Sequence, residues 1–237
     1  MKETSKVIVL LSFLILSIQP LSYCEIIKIY PVMDTFVNSS SPNSNYGNST
    51  ELFFNYGDEY RTFLKFDISN LKVSSNEILS ATLNLYYLGT EEGGKFTRVN
   101  RIYVFEDEEC NNWDENYTSW NSMPVCEAKK AGNCISLCCE GLPNCGLKYK
   151  CPAAPHEIKF NLTEFLKEIL YQNRNVFTLY LRNEEHGGWG DENEFLWNKI
   201  ASKENPNPFL HPHIEIQINA SCLPVKLVNL ILKSEMC

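Results

Sequence analysis

The strongest constraint on the fold is the alternation of short, strand-like apolar runs with turns rich in Asn, Ser, Gly and Pro, which continues from residue 26 to residue 218. This pattern is typical of an all-β sandwich or barrel. The number of runs suits two packed sheets, so we predict a β-sandwich. The predicted strands cover residues 26–30, 52–56, 62–68, 81–88, 99–105, 157–160, 176–182, 195–200 and 213–218.

Within these runs the side chains alternate between two faces, because successive residues of a strand point to opposite sides of a sheet. Leu83 and Leu85 share one side of their strand, whereas Asn84 and Tyr86 share the other. We expect the leucine side in the core and the other side in solvent.

One segment, residues 161–171, departs from this pattern and predicts a short amphipathic helix. Asn161 occupies the N-cap position, with Glu164 three residues further on. Asn161 is also a glycosylation acceptor, but a glycan would occupy the atoms that cap the helix, so we favour the cap. The apolar residues at helical spacing are Leu162, Phe165, Leu166, Ile169 and Leu170.

The first residues have the organisation of a signal peptide. Lys2 and Lys6 precede an apolar run over residues 7–18, which Pro20 ends. A spanning helix needs roughly 20 apolar residues, and this run is shorter. We therefore predict cleavage near Glu25 and a secreted or cell-surface location.

Lipidation of Cys24 stays open, because the bulky Tyr23 precedes it. Acceptors of the Asn-x-Ser/Thr type are compatible with export. The predicted glycosylation sites are Asn38, Asn48, Asn116 and Asn219. The predicted organisation is a signal peptide over residues 1–24, a β-sandwich module over 25–220 and a C-terminal tail over 221–237.

Ten cysteines in a chain with an export signal favour disulfide bonds, because oxidising compartments allow them to persist. Seven lie in residues 110–151, which we interpret as a disulfide-rich insertion in the sandwich. A zinc site is the alternative, although the stretch lacks the Cys-x₂-Cys pairs that usually present two thiolates to zinc. The disulfide candidates are Cys110, Cys126, Cys134, Cys138, Cys139, Cys145, Cys151, Cys222 and Cys237, with the connectivity left open.

Charge and motifs argue against two classes of function. The net charge is −8 and no basic cluster occurs, so the attraction that draws proteins to nucleic acid or anionic membranes is missing. The sequence lacks a Gly-x-Ser-x-Gly elbow, a His-Glu-x-x-His pair and a phosphate loop. We therefore predict a non-catalytic protein; a carboxylate pair for glycoside hydrolysis, which carries no local motif, is a minor alternative.

Several short motifs follow one another in a characteristic order between residues 31 and 218. The Trp113-Asp114-Glu115 motif, with Trp120 close behind, is the most specific of them. We assign both tryptophans a structural role, because large indoles usually pack in or beside a core. The remaining motifs are Asp34-Thr35-Phe36-Val37, SPNSNYG over 41–47, RTFLKFDI over 61–68, SATLNLY over 80–86 and PHIEI over 212–216.

In this order the motifs resemble the DNRLRE-type modules, a group that includes carbohydrate-binding module family 96 and the repeats attached to archaeal disaggregatase. The resemblance implies a jelly-roll β-sandwich, found outside cells or on their surface, that binds polysaccharide, in some members an alginate-like acidic glycan. The insertion over 110–151 departs from the family pattern. It suggests an alternative function, a structural or adhesion component of a surface layer that contacts other surface proteins through the insertion.

A glycan site requires aromatic faces for stacking and polar or cationic side chains for hydroxyls and carboxylates. If the strands are neighbours, their outward residues form one cationic and aromatic face, on which an Arg can pair with a uronate. The alternative is that Arg61 and Lys65 pair with acidic neighbours and the tyrosines pack across strands. The candidate glycan-binding residues are Arg61, Lys65, Asn84, Tyr86, Tyr180, Arg182 and Trp189, the last in a glycine-rich loop.

Metal binding is predicted at one place only. Asp34, beside a strand edge, is the candidate ligand for a structural calcium ion, although no loop carries a recognisable calcium pattern. His211 and His213 have a spacing that can serve a metal, but we interpret this pair as incidental to the last strand. No other cofactor is predicted.

Overall fold

The computed structural model describes residues 24–54, 59–89, 101–105, 107–134, 154–181 and 198–219. These residues form an antiparallel β-sandwich with one α-helix and three short 3₁₀ turns. The strands are β1 (Cys24–Ile29), β2 (Met33–Asn38), β3 (Glu51–Phe54), β4 (Tyr60–Asp67), β5 (Ile78–Gly89), β6 (Arg101–Phe105), β7 (Ala128–Cys134), β8 (His156–Asn161), β9 (Val176–Leu181), β10 (Asn198–Ala201) and β11 (His213–Asn219); the helix is α1 (Thr163–Tyr171).

The strands lie in two sheets. In the first sheet, β5 is central, with β11 and then β1 on one side, β8 on the other, and β10 and β3 beside its C-terminal end. In the second sheet the order is β7, β6, β9, β4 and β2. β7 also pairs with β8 at Asn133 and Cys134, so the two sheets share one continuous hydrogen-bonded path at this corner.

The core lies between the sheets and consists of alternate residues of each strand. Leu83 and Leu85 of β5 are buried together with Leu64 and Phe66 of β4, all at 1% exposure or less. Burial of each such side chain stabilises the fold by about 1.5–3 kcal/mol. The predicted all-β sandwich and the predicted inward side of β5 are therefore confirmed.

The predicted helix is also present, but it begins later than the sequence suggests. Asn161 ends β8, and Leu162 occupies the N-cap position of α1. The Asn161 Oδ1 still accepts hydrogen bonds from the backbone N–H and the hydroxyl of Thr163, at 2.9 and 2.7 Å. Its side chain thus ties the end of the strand to the first helical turn, close to the predicted role.

The buried face of α1, formed by Phe165, Leu166 and Ile169, packs against the core. The helix is followed by Asn173, whose φ of 56° is the left-handed conformation typical of helix ends. No helix within the described residues is long and apolar enough to cross a membrane.

The outer face of the second sheet is covered by the loop of residues 107–127, which we call the covering loop. Trp113 from this loop packs on Phe63, Phe105 and Tyr180 in a second, smaller core. A disulfide bond joins Cys110 to Cys126 across the loop. This bond confirms one pair among the predicted cysteines.

The first part of the predicted insertion over residues 110–151 lies in the sandwich. Residues 110–127 cover a sheet, and the next segment, β7, is a strand that pairs with β6 along its length. The sequence Ala-Lys-Lys-Ala-Gly-Asn-Cys of β7 lacks β-branched and aromatic residues, so its pairing comes from tertiary context rather than propensity. Residues 135–151, on which the adhesion alternative depends, lie outside the described residues, as do Cys222 and Cys237.

The disulfide should make a measurable contribution to stability. Cys110 and Cys126 are 16 residues apart, and closing a loop of this length stabilises a fold by about 3 kcal/mol, mainly through the entropy of the unfolded chain. We expect the double substitution Cys110→Ser with Cys126→Ser to lower the free energy of unfolding in urea by about that amount. An unchanged urea midpoint would show that the crosslink is not formed.

Candidate functional site

The outer face of the first sheet is exposed and carries aromatic and charged side chains. On its edge strand β1, Ile27 and Ile29 pack against the core, while Ile26 and Lys28 point outward. Tyr30 follows the same alternation one step beyond the strand and is 48% exposed. This face is therefore accessible to a ligand.

Three aromatic rings lie in a row across this face, and we call them the aromatic strip: Tyr30, His213 and Tyr86. The ring centroids are 5.6 Å apart between Tyr30 and His213 and 6.4 Å apart between His213 and Tyr86. His213 is buried at 5% exposure. Tyr30 and Tyr86, on either side of it, are partly exposed. The strip therefore presents two separate ring surfaces with the buried His213 ring between them.

Polar and charged groups flank the strip. Lys28 pairs with Glu215 at 3.7 Å, and Lys159 pairs with Glu157 at 2.8 Å, each on the outer side of its strand. The Tyr86 hydroxyl donates to Glu157 at 3.4 Å. Partial burial, and then the negative charge of Glu157, raise the pKa of the Tyr86 phenol above its usual value. The phenol therefore stays neutral and able to donate at physiological pH.

Asn84, another predicted binding residue, lies on the same face, opposite His213 and Lys159 in the register. Its side chain is 3% exposed and its amide nitrogen donates to the Thr82 carbonyl at 3.2 Å. The structure thus brings Asn84 and Tyr86 to one surface, with Asn84 beneath the neighbouring side chains.

Arg61, Lys65 and Tyr180 lie instead on the second sheet, beneath the covering loop. β4 and β9 are neighbours, but β5 belongs to the other sheet, so the condition for one continuous face of the predicted residues is met only in part. Tyr180 is 4% exposed and stacks on Phe63 at 5.2 Å. The predicted packing of tyrosine across strands describes this position correctly.

The two cations are only partly buried, and both contact the covering loop. The Lys65 ammonium donates to the Trp113 carbonyl at 2.7 Å and lies 5.3 Å from the centre of the Trp113 ring. The Arg61 guanidinium lies 4.7 Å from the centre of the Trp120 ring. Desolvation lowers the pKa of Lys65, against the opposing charges of Asp114 and Glu115. Arg182 and Trp189 lie outside the described residues.

Trp113 has the structural role predicted for it. It is 7% exposed, and its indole N–H donates to the Thr178 hydroxyl of β9 at 2.9 Å inside the second core. Trp120 is half-buried beside Arg61 at the rim of the same core. Both tryptophans therefore fix the covering loop.

Asp34 lies at the inner side of β2, where Glu115 and Glu204 approach it. Its Oδ2 accepts the backbone N–H of Lys203 at 2.7 Å, and its own N–H donates to Glu115 Oε2 at 2.9 Å. Burial raises the pKa of Asp34 to about 8; the Lys203 N–H opposes this shift and Glu204 adds to it. Glu115 and Glu204 are distant in sequence, and no local motif marks them as partners of Asp34.

The glycosylation candidates differ in accessibility. Asn38 is 9% exposed, and its amide nitrogen, to which a glycan would be attached, donates to the Tyr60 hydroxyl at 3.2 Å. This geometry disfavours Asn38 as an acceptor in the folded chain. Asn48 and Asn116 are exposed, and Asn219 is half-buried at the end of β11.

His211 and His213 are engaged separately. One ring nitrogen of His211 lies 2.8 Å from the Asn205 carbonyl, whereas His213 Nδ1 lies 3.1 Å from the His211 carbonyl. These contacts occupy the two rings in different surroundings, which fits their interpretation as an incidental pair.

Residues 25–136 match the family model of carbohydrate-binding module family 96. The match confirms the resemblance of the sequence motifs. No curated protein matches the chain.

The match extends from β1 through β7 and includes the covering loop with its disulfide partners. The matched segment thus includes residues 110–136, which agrees with their place in the sandwich. Modules of such families are generally binding domains without catalytic activity, in line with the prediction of a non-catalytic protein.

The hydrogen bond between Trp113 and Thr178 can be tested by a double-mutant cycle. We expect Trp113→Phe and Thr178→Val each to lower the free energy of unfolding by about 1–3 kcal/mol, because each leaves a buried polar partner unsatisfied. The double variant should lose less than the sum, since it leaves neither partner unpaired. Chemical denaturation measures all four proteins, and strictly additive losses would contradict the contact.

Proposed function

We propose that this protein is an exported, non-catalytic module that binds polysaccharide on the outer face of its first sheet. The observation that carries the proposal is the aromatic strip, whose Tyr30 and Tyr86 rings are separated by the buried ring of His213. The match of residues 25–136 to the model of a carbohydrate-binding family supports the choice of ligand.

The strip has the chemistry that sugars require. A tyrosine ring offers a flat apolar surface to the C–H groups of a pyranose, and its hydroxyl can bond to sugar hydroxyls. Glu157, Lys159, Lys28 and Glu215 flank the rings and add charged hydrogen-bonding groups. Because the rings are spaced along an open face, a chain of sugars fits this surface better than an isolated monosaccharide.

An acidic glycan would meet Lys28 and Lys159, because Arg61 and Lys65 are engaged with the covering loop. Each of these two lysines already faces a glutamate, so the charge of the surface is balanced. We therefore propose that stacking and hydrogen bonding supply most of the affinity and that a uronate adds only a small, salt-sensitive part.

Export rests on the leader-like residues 1–24 and on the disulfide bond, which persists in oxidising compartments. Cleavage near Glu25 would remove only the first residue of β1 and leave the pairing of that strand with β11 otherwise intact. Secretion is thus compatible with a complete sandwich.

The location can be tested by expressing the full chain in a secreting host and determining the N-terminus of the product. We expect the protein in the medium or on the cell surface, with a new N-terminus close to Glu25. A product that keeps Met1 and stays inside the cell would refute this part of the proposal.

The binding surface can be tested with a panel of neutral polysaccharides and polyuronates, each measured with and without a chelator. We expect Tyr30→Ala and Tyr86→Ala each to weaken binding by roughly three- to tenfold, the value of one aromatic contact. Affinity electrophoresis or calorimetry on the mature protein measures the change.

Tyr171→Ala is the matched control, because Tyr171 is 81% exposed at the end of α1 and lies outside the strip. It should bind like the wild type. Absence of binding across the whole panel, or equal losses in all three variants, would refute the proposed surface.

A further inference from the structure

Three carboxylates from separate parts of the chain converge beside the covering loop. Asp34 belongs to β2, Glu115 to the covering loop and Glu204 to the connection between β10 and β11. One oxygen of each lies within 4.8 Å of the others. Carboxylates at this distance repel one another unless a positive charge lies among them.

Lys203 supplies part of that charge. Its ammonium donates to Glu115 Oε1 at 2.9 Å and also contacts Glu204 Oε1, whereas Asp34 receives the backbone N–H of the same lysine. If a bound cation keeps all three carboxylates ionised, including Asp34, whose pKa is otherwise raised to about 8, one ammonium leaves two negative charges. This is the charge that one divalent cation would neutralise.

Two oxygens of this cluster are buried and receive no hydrogen bond from the described residues: Asp34 Oδ1 and Glu204 Oε2. Asp34 as a whole is 1% exposed, so its second oxygen is deep inside the protein. Buried polar atoms in native proteins nearly always have a partner. Because Asp34 and Glu204 also contact each other, either a shared proton or a bound cation must lie between their oxygens, and a cation is a ligand that the polypeptide itself does not provide.

The position of Glu115 is fixed by contacts of its backbone. The Asn45 amide donates to the Glu115 carbonyl at 2.5 Å and to the Thr118 carbonyl at 2.8 Å. Gly47 lies so close that a Cβ at this position would be 2.2 Å from the same Glu115 carbonyl oxygen. The turn therefore holds the Glu115 backbone beside β2, as a preorganised site requires.

The donor set selects the class of ion. All three side chains offer oxygen, which suits a hard cation and not zinc, which favours nitrogen and sulfur. Calcium binds oxygens at about 2.3–2.6 Å and tolerates irregular geometry, whereas magnesium requires a smaller, nearly ideal octahedron. Oxygens up to 4.8 Å apart can be reached by one calcium ion placed between them.

We propose that Asp34, Glu115 and Glu204 bind a structural calcium ion. The ion joins β2 of the second sheet, the covering loop and the β10–β11 connection of the first sheet. Its ligands come from segments far apart in the sequence, so the unfolded chain has no such site. Calcium therefore stabilises the folded protein in proportion to the logarithm of its free concentration.

The experiment uses the mature protein, stripped of metal with a chelator and then returned to calcium, magnesium or buffer alone. We expect calcium to raise the midpoint of thermal unfolding progressively with concentration, and calorimetry to detect one ion per chain. Asp34→Asn should abolish both effects. If this buried variant fails to fold, Glu204→Gln, at a less buried position, serves in its place.

Glu164→Gln is the matched control, since Glu164 is exposed on α1, far from the cluster in sequence and paired with Lys167. It should respond to calcium like the wild type. Lys203→Met should keep the response as well, because the lysine is a neighbour of the ion and not a ligand.

Three results would overturn the proposal. The first is a wild-type midpoint that does not respond to millimolar calcium, in which case Lys203 and a proton shared by Asp34 and Glu204 balance the cluster. The second is an equal calcium response in Asp34→Asn or Glu204→Gln, which would place the ion elsewhere. The third is an equal response to magnesium, which would contradict the assignment of the ion.

Discussion

The structure depends on the burial of both faces of its second sheet. In β4 the neighbouring residues Phe63 and Leu64 point to opposite sides, and both are at most 1% exposed. Leu64 faces the main core, whereas Phe63 faces the smaller core formed by the covering loop. A sheet covered on both sides presents little surface to a ligand, so the first sheet is the one with an accessible outer face.

The covering loop keeps its place through aromatic and cationic contacts. Trp113 contributes an indole N–H to Thr178 and a carbonyl to Lys65, and Arg61 lies over Trp120. These cations stay near the surface with part of their length packed on indole rings, an arrangement that long basic side chains favour. The loop is thus an integral layer of the protein, and its inclusion in the family match agrees with this.

The sequence was sufficient to predict the two faces of a strand where residues adjacent in the chain carry the pattern. Leu83 and Leu85 alternate with Asn84 and Tyr86, and the structure separates them into core and outer face as predicted. At β4 the local pattern gave a wrong prediction. The alternation of Arg61 and Lys65 with apolar residues indicates a strand with one exposed face, and nothing in it shows that the covering loop packs on that face. The local pattern did not predict β7, because this strand has weak β-propensity and forms through its pairing with β6. The place of Tyr30 in the aromatic strip and the contact of Glu115 with Asp34 arise between segments that are distant in sequence, so no local pattern could predict them.

The bridging position of β7 makes the two edges of the sandwich unequal. At the β7 edge, backbone hydrogen bonds run from one sheet into the other through Asn133 and Cys134. At the opposite edge, contact between the sheets includes side-chain bonds such as Thr62 to the Phe53 carbonyl and Asp34 to the Lys203 N–H. If the two sheets separate, we therefore expect the separation to begin at β2 and β3, while the backbone hydrogen bonds of β7 keep the sheets joined at the other edge.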